Sequence, residues 1–224
     1  MSLRNNLDSV VQKLSAGGYN ITDVFDVGAN QGRWTAKYSK QLPGARFCMF
    51  EANPKQRSPK LAPNHKWFNS VLSKPGASEV EFYAVSGTGD SYYKEQTKAY
   101  DGCSPLKLPT TTLDVLVKEN SLPHPQLMKM DTQGSELDIL HGANSIINTV
   151  DIIVIEMAVL PYNKGAPTFD DYLKFLIDLD FVPVGVEEIH VSNNMLVQLD
   201  IVFLRKHTKE TYYGNNEFFT TIKR

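Results

Sequence analysis

The sequence predicts an α/β fold, a mostly parallel sheet between helices that is closed by an antiparallel strand pair. Three observations carry this. Short apolar runs alternate with helix-period segments along most of the chain, as in βαβ units. Residues 151–157 show no alternation and are apolar apart from Asp151 and Glu156, which fits a strand buried on both faces of a parallel sheet. The last two apolar runs, 181–186 and 196–204, have no helical pattern between them. Parallel neighbours need a crossover, so these two should pair antiparallel through a loop at 187–194.

The elements follow in order. Leu3, Leu7, Val10, Val11 and Leu14 recur at helical spacing over residues 3–16, and Gly17-Gly18 ends that helix. Residues 21–27 read as a strand, 31–41 as a helix and 45–51 as a strand. Asn53-Pro54 marks a turn, with a short helix expected over 55–61. Strands are expected over 66–72 and 80–85, parted by Lys74-Pro75-Gly76. Residues 86–104 are rich in Gly, Ser, Lys and Tyr without an apolar period; so long a loop is usually functional or disordered. Thr111 and Asp114 are spaced as a capping box at a helix start. Residues 127–130 form a short strand ending at Asp131, and 134–147 and 169–179 read as helices. Residues 207–224 are polar and read as a loose tail. No repeat, linker or boundary breaks the pattern, so 1–224 reads as one domain.

A chain of 224 residues can bury a sizeable core, and 42% hydrophobic with 21% charged residues is ordinary for globular proteins. A net charge of -2 and a pI near 6.2 argue against a nucleic-acid partner, whose binders usually show a basic face. The longest apolar run, 152–160, is interrupted by Glu156 and is too short to span a bilayer. Residues 1–6 hold no hydrophobic signal core, so Cys48 and Cys103 are expected as reduced thiols in a cytoplasmic protein.

The chemistry centres on residues 24–32, Val-Phe-Asp-Val-Gly-Ala-Asn-Gln-Gly. A strand ends near Asp26, a glycine turn follows, and a helix begins. The dinucleotide fingerprint Gly-x-Gly-x-x-Gly fails here, because Asn30 and Arg33 stand where its second and third glycines belong. The second glycine admits a pyrophosphate, so its absence argues against NAD. Asn30 tolerates positive φ and can replace a turn glycine. Glu51 ends the next strand at about the spacing expected of a ribose-binding acid. A nucleoside cofactor without pyrophosphate is implied, and S-adenosylmethionine fits. Asp26 would pair with its ammonium, and its carboxylate would meet open amides at the helix start.

Asp-Val-Gly-Ala-Asn-Gln-Gly, Phe50-Glu51-Ala52-Asn53-Pro54, Thr112-Leu113-Asp114, the block Lys129 to Glu136, Leu140-His141-Gly142-Ala143 and Ile155-Glu156 occur in an order that resembles the FkbM methyltransferases, over roughly residues 20–160. The resemblance implies a three-layer αβα, Rossmann-like, seven-stranded sheet, S-adenosylmethionine as donor, and O-methylation of a hydroxyl on a sugar or natural-product-like small molecule. Gln133 stands where the family often has Glu, and His141 where lysine is common. The expected donor surface comprises Asp26, Gly28, Asn30, Gln31, Gly32, Glu51, Ala52, Ser70, Val71 and Asp131.

Asp131 ends a strand across the switch point from the first, where ligands bind; the rival role is a helix N-cap. It is the first candidate to orient or deprotonate the acceptor, with Gln133 and Glu156 as further catalytic candidates. Glu156 interrupts a buried strand and must be paired. Glu136 divides between a role in the site and one in satisfying backbone amides. Tyr92, Tyr93 and Tyr100 read as solvent-exposed, with stacking on a sugar as the alternative. Asp131 and Glu156 alone are not a full oxygen shell. None of the five histidines has paired ligand spacing, His190 falling in the expected loop, so no metal is predicted. The alternatives are an N-methyltransferase, although the Asn/Asp-Pro-Pro-Tyr of base methylation is missing, and a binding module that has lost catalysis.

Overall fold

The computed structural model describes residues 6–85 and 89–214. Ten strands and six α-helices are found among them: α1 (Leu7–Ala16), β1 (Asp23–Val27), α2 (Arg33–Gln41), β2 (Arg46–Glu51), β3 (Lys66–Asn69), β4 (Val71–Leu72), β5 (Glu79–Phe82), β6 (Leu106–Thr111), α3 (Leu113–Glu119), β7 (Leu127–Met130), α4 (Glu136–His141), β8 (Ile152–Ala158), α5 (Phe169–Asp178), β9 (Phe181–Ser192), β10 (Met195–Arg205) and α6 (Lys206–Tyr213). The main sheet has the order β3-β2-β1-β7-β8-β10-β9, and β4-β6-β5 form a small second sheet. The first five strands of the main sheet run parallel, and β10 and β9 close it antiparallel. The chain winds outward from β1 to β3, then returns to the other side of β1 with β7. The switch point therefore lies between β1 and β7.

Period-two strands buried on both faces explain the three layers. Phe25, Val27, Ile153 and Ile155 point into one core with α3, α4 and α5; Val24, Ile152 and Val154 point into the other with α1 and α2. Each such buried Phe, Ile or Leu contributes about 1.5–3 kcal/mol. No helix among the described residues is long and apolar enough to cross a membrane.

The structure departs from the sequence reading at six places. No helix forms over 55–61: the Asn53 side chain takes the N–H of Lys55, and Pro59 lacks the N–H a helix interior needs. The run 66–72 splits between two sheets, because after β3 pairs with β2 the chain crosses at Ser70 and β4 pairs with β6, itself unpredicted. Thr111 stays in β6, and the cap of α3 is Thr112, which accepts from Val115. The helix expected over 134–147 stops at His141. Asp114 captures the amides of Ser145 and Ile146, while its own N–H bonds the Gly142 carbonyl. The expected loop 187–194 is mostly strand, since Asn193 and Asn194 take φ of 49° and 61° and turn the hairpin in two residues. The tail begins as α6: Thr208 is buried against Asp151, and the Tyr212 ring packs edge-on to Tyr19. Residues 3–5 of the first helix, 86–88 of the long loop and 215–224 of the tail lie outside the described residues.

Candidate active site

A cavity of about 540 Å³ opens at the carboxyl ends of β1, β2 and β7 and reaches across to β9 and β10. Ligands bind at such a switch point because the loops diverge there and leave a crevice. Gly28 makes the approach of β1 and β7 possible. It has φ 77°, and a Cβ would lie 1.8 Å from the Asp131 carbonyl oxygen. Its role is thus strand-to-strand contact. Asn30 takes φ 49°, as its replacement of a turn glycine requires.

Glu51 is 6 % exposed and lines the cavity. Its Oε2 accepts from the Asn30 N–H at 2.6 Å and its Oε1 from the Asn53 N–H at 2.7 Å. Burial raises its affinity for a proton, and the two amides oppose that. Asn30, Gln31, Ala52, Ser70 and Val71 share the same wall. Two other expected donor residues lie behind it. Gly32 starts α2 with φ 69° against Pro59, and Asp26 is fully buried, accepting from the Thr35 hydroxyl at 2.7 Å. The Oδ1 of Asn30 and the Oγ1 of Thr132 are buried without partners. Both residues line the cavity, and such orphaned atoms suit a polar ligand.

Lys129 organises the opposite wall. The β1–β7 register sets it beside Asp26, and its ammonium lies 3.6 Å from Asp26 and 3.1 Å from Asp131. Burial works against its charge, but the two carboxylates outweigh burial and hold the ammonium firmly protonated. Asp26, by contrast, is pushed up by burial despite Lys129. Asp131 stays 37 % exposed on the cavity wall. Burial opposes its ionisation, yet Lys129 and its hydrogen bonds hold it well below the usual carboxylate range. Glu156 is 4 % exposed and is pushed well above its usual value, first by burial and then by the charge of Asp131. The negative charge of Asp131 beside it thus favours the protonated form of Glu156.

Gln133 ties this pair together. Its amide donates to both oxygens of Glu156 at 2.8 and 2.7 Å and to Asp131 at 3.2 Å, from a backbone with φ 55°. Ser91 and Asn163 hold its carbonyl, so the long loop and the segment after β8 meet there. Glu136 turns inward to accept from the amides of Thr132 and Gly134 and the hydroxyl of Tyr172.

The exposed-tyrosine expectation fails. Tyr100 is buried, and half-buried Tyr92 and Tyr93 both donate to Asp138, because bridges between Tyr83 and Ser91 and between Glu95 and Asn163 fold the loop inward. Tyr92 lines the cavity together with Asp90 and Ser91. The sequence reading missed Asp90 and Ser91, and also Lys129, Glu187, Glu188 and Asp200. A lysine inside the apolar strand Leu-Met-Lys-Met, one residue before an acid, was a usable signal, since a buried charge needs partners. Burial, then the charges of Asp131 and Glu188, push Asp200 up to about 7.

The strand order and the switch-point cavity define the class: a Rossmann-like α/β protein of the methyltransferase type. The chain belongs to the FkbM methyltransferases, the FkbM methyltransferase domain model matching residues 26–183. Members of that family use S-adenosylmethionine as methyl donor. The chain is similar to the hexuronic acid methyltransferase AglP of Haloferax volcanii, 26% identical over 140 residues, covering 60% of this chain and 55% of AglP. The chain thus spans little more than half the length of that relative. It is also similar to the 2-O-methyltransferase NoeI of Sinorhizobium fredii, 23% identical over 187 residues, covering 73% of this chain and 76% of NoeI. Among solved structures, the plantazolicin methyltransferase BamL shares the fold, with a TM-score of 0.51 and 8% identity over 89% of this chain and 82% of that one.

Proposed function

We propose that the chain, acting as a single domain over residues 1–224, methylates a hydroxyl of a sugar or sugar-like small molecule. The observation that carries this is the Asp131 carboxylate, ionised and open to the cavity opposite the Glu51 wall. The names of AglP and NoeI, one acting on a hexuronic acid and one at a 2-oxygen, support a sugar acceptor. Bound S-adenosylmethionine supplies an activated sulfonium methyl group. Glu51 and the orphaned Asn30 oxygen suit its ribose and polar groups. Asp131 accepts a hydrogen bond from the acceptor hydroxyl and turns the oxygen lone pair toward the methyl carbon. Such positioning supplies much of the acceleration. As the carbon–oxygen bond forms and the carbon–sulfur pair returns to sulfur, the hydroxyl becomes strongly acidic. Asp131 then takes its proton even though Lys129 makes it a weak base.

The test is a homocysteine-release screen over uronates, hexoses and matched amines. Asp131→Asn should bind S-adenosylhomocysteine within about twofold of wild type while turnover falls about 100-fold or more. Turnover on amines alone, or an unaffected Asp131→Asn enzyme, defeats the proposal.

A further inference from the structure

We infer that Glu188, His190 and Asp200 form a divalent-cation site at the acceptor end of the cavity. The hairpin register makes the cluster. Glu188 pairs with Asp200, and His190 pairs with Gln198, so residues two apart on β9 and their β10 neighbour share one face. One ligand atom from each of the three lies within 4.8 Å of the others. The His190 Nε2 is 3.4 Å from Glu188 Oε2 and 3.9 Å from Asp200 Oδ1. Ligands of a first-row ion sit about 2.0–2.2 Å from it, so their donor atoms stand roughly 3–3.5 Å apart. Small rotations of the exposed Glu188 and His190 side chains close the remaining gap.

The environment of Asp200 adds a second observation. The Asp200 Oδ1 is buried and has no hydrogen-bond partner, although it faces the cluster. A buried carboxylate oxygen without a partner is costly, and an ion relieves that cost. The surroundings are also acidic. Glu187, Glu188, Asp131 and Asp200 all line the cavity. The nearby cations are engaged elsewhere, Lys129 with Asp26 and Asp131, and Lys37 with Glu187 and Asp8.

One imidazole and two carboxylates suit Mn2+, Fe2+, Co2+ or Zn2+. Three protein ligands leave positions open, as in sites that admit a substrate or water. Because Glu188 and Asp200 line the cavity, those positions are available to an acceptor with two adjacent oxygens, such as a diol or a uronate. This last step rests on the hydroxyl-methyltransferase proposal; cation binding does not.

The test uses the full chain freed of metal by chelation. Titration with Mn2+, followed by electron paramagnetic resonance and calorimetry, should find one strong site. His190→Ala and Asp200→Asn should each weaken it at least about tenfold, with circular dichroism and S-adenosylhomocysteine binding unchanged. No uptake of Mn2+ or Zn2+ at millimolar ion overturns the site, as does uptake that ignores both substitutions; His190 is then only the ion-pair partner of the two acids. If the ion binds but chelation leaves methyl transfer unchanged, the acceptor role falls and the site stands. If no hydroxyl is methylated at all, Mn2+ binding still decides the site.

Discussion

The two halves of the cavity are built in different ways. On the donor side, at the ends of β1 and β2, Glu51 is held by backbone amides of the two turns that flank it, Asn30 and Asn53. On the acceptor side, at the ends of β7 and β8, Asp131 is held by side chains, Lys129 from its own strand and Gln133 from the next turn, with Glu156 from a neighbouring strand. Backbone amides supply a fixed geometry that few substitutions disturb. A side-chain network supplies polarised acids, one ionised and one protonated, but every member depends on the others. The Glu51 wall therefore needs the pairing of β1 with β2, and the Asp131 wall needs β1, β7 and β8 together.

Breaking the acceptor network at its centre should have the largest effect. Lys129→Met removes the counter-charge of both Asp26 and Asp131, and loss of one partner of a buried pair costs about 3–5 kcal/mol. Urea unfolding should show that loss; a change below about 1 kcal/mol would mean the acids do not lean on Lys129. Next is the donor wall. Glu51→Ala should weaken S-adenosylhomocysteine binding by about 100-fold, from two charge-assisted hydrogen bonds. Because two backbone amides lose their acceptor, the melting temperature should also fall by a few degrees. Calorimetry finding unchanged affinity would remove Glu51 from the donor site.

The smallest effect tests how the two acids divide their protons. Glu156 holds its proton more tightly folded than unfolded, so its contribution is full below the ordinary Glu value of about 4.3 and is lost as pH rises toward the folded value. Asp131 has the opposite sign: its contribution is present above the ordinary Asp value and is lost in acid. Glu156→Gln should therefore flatten the decline in stability above pH 5 and stabilise the chain at pH 7 by about 1 kcal/mol. Thermal melts across that range should show it, and an unchanged slope would place the shared proton elsewhere.

Much of the Glu51 wall was legible in the sequence. The turn at Asn30 and the place of Glu51 on the cavity wall both follow from the run of β1, turn, α2 and β2 between them. The Gln133 to Glu156 contact was less legible. Both residues stood out, one as a departure from the family pattern and one as a buried acid, but their bond was not foreseen. The hairpin was misread because its turn is Asn193-Asn194, without the Gly that usually marks two-residue turns.

The sequence by itself determined the α/β class, the antiparallel closure and the family. Those follow from apolar period and from motifs only a few residues long, whose geometry the local backbone sets. Only the tertiary structure decided that Lys129 stands between Asp26 and Asp131, that Asp26 and Gly32 lie behind the cavity wall, and that Glu188, His190 and Asp200 share one face. Register causes this. A one-residue slip in the pairing of two strands turns each side chain to the opposite face, and burial across the whole sheet selects the register.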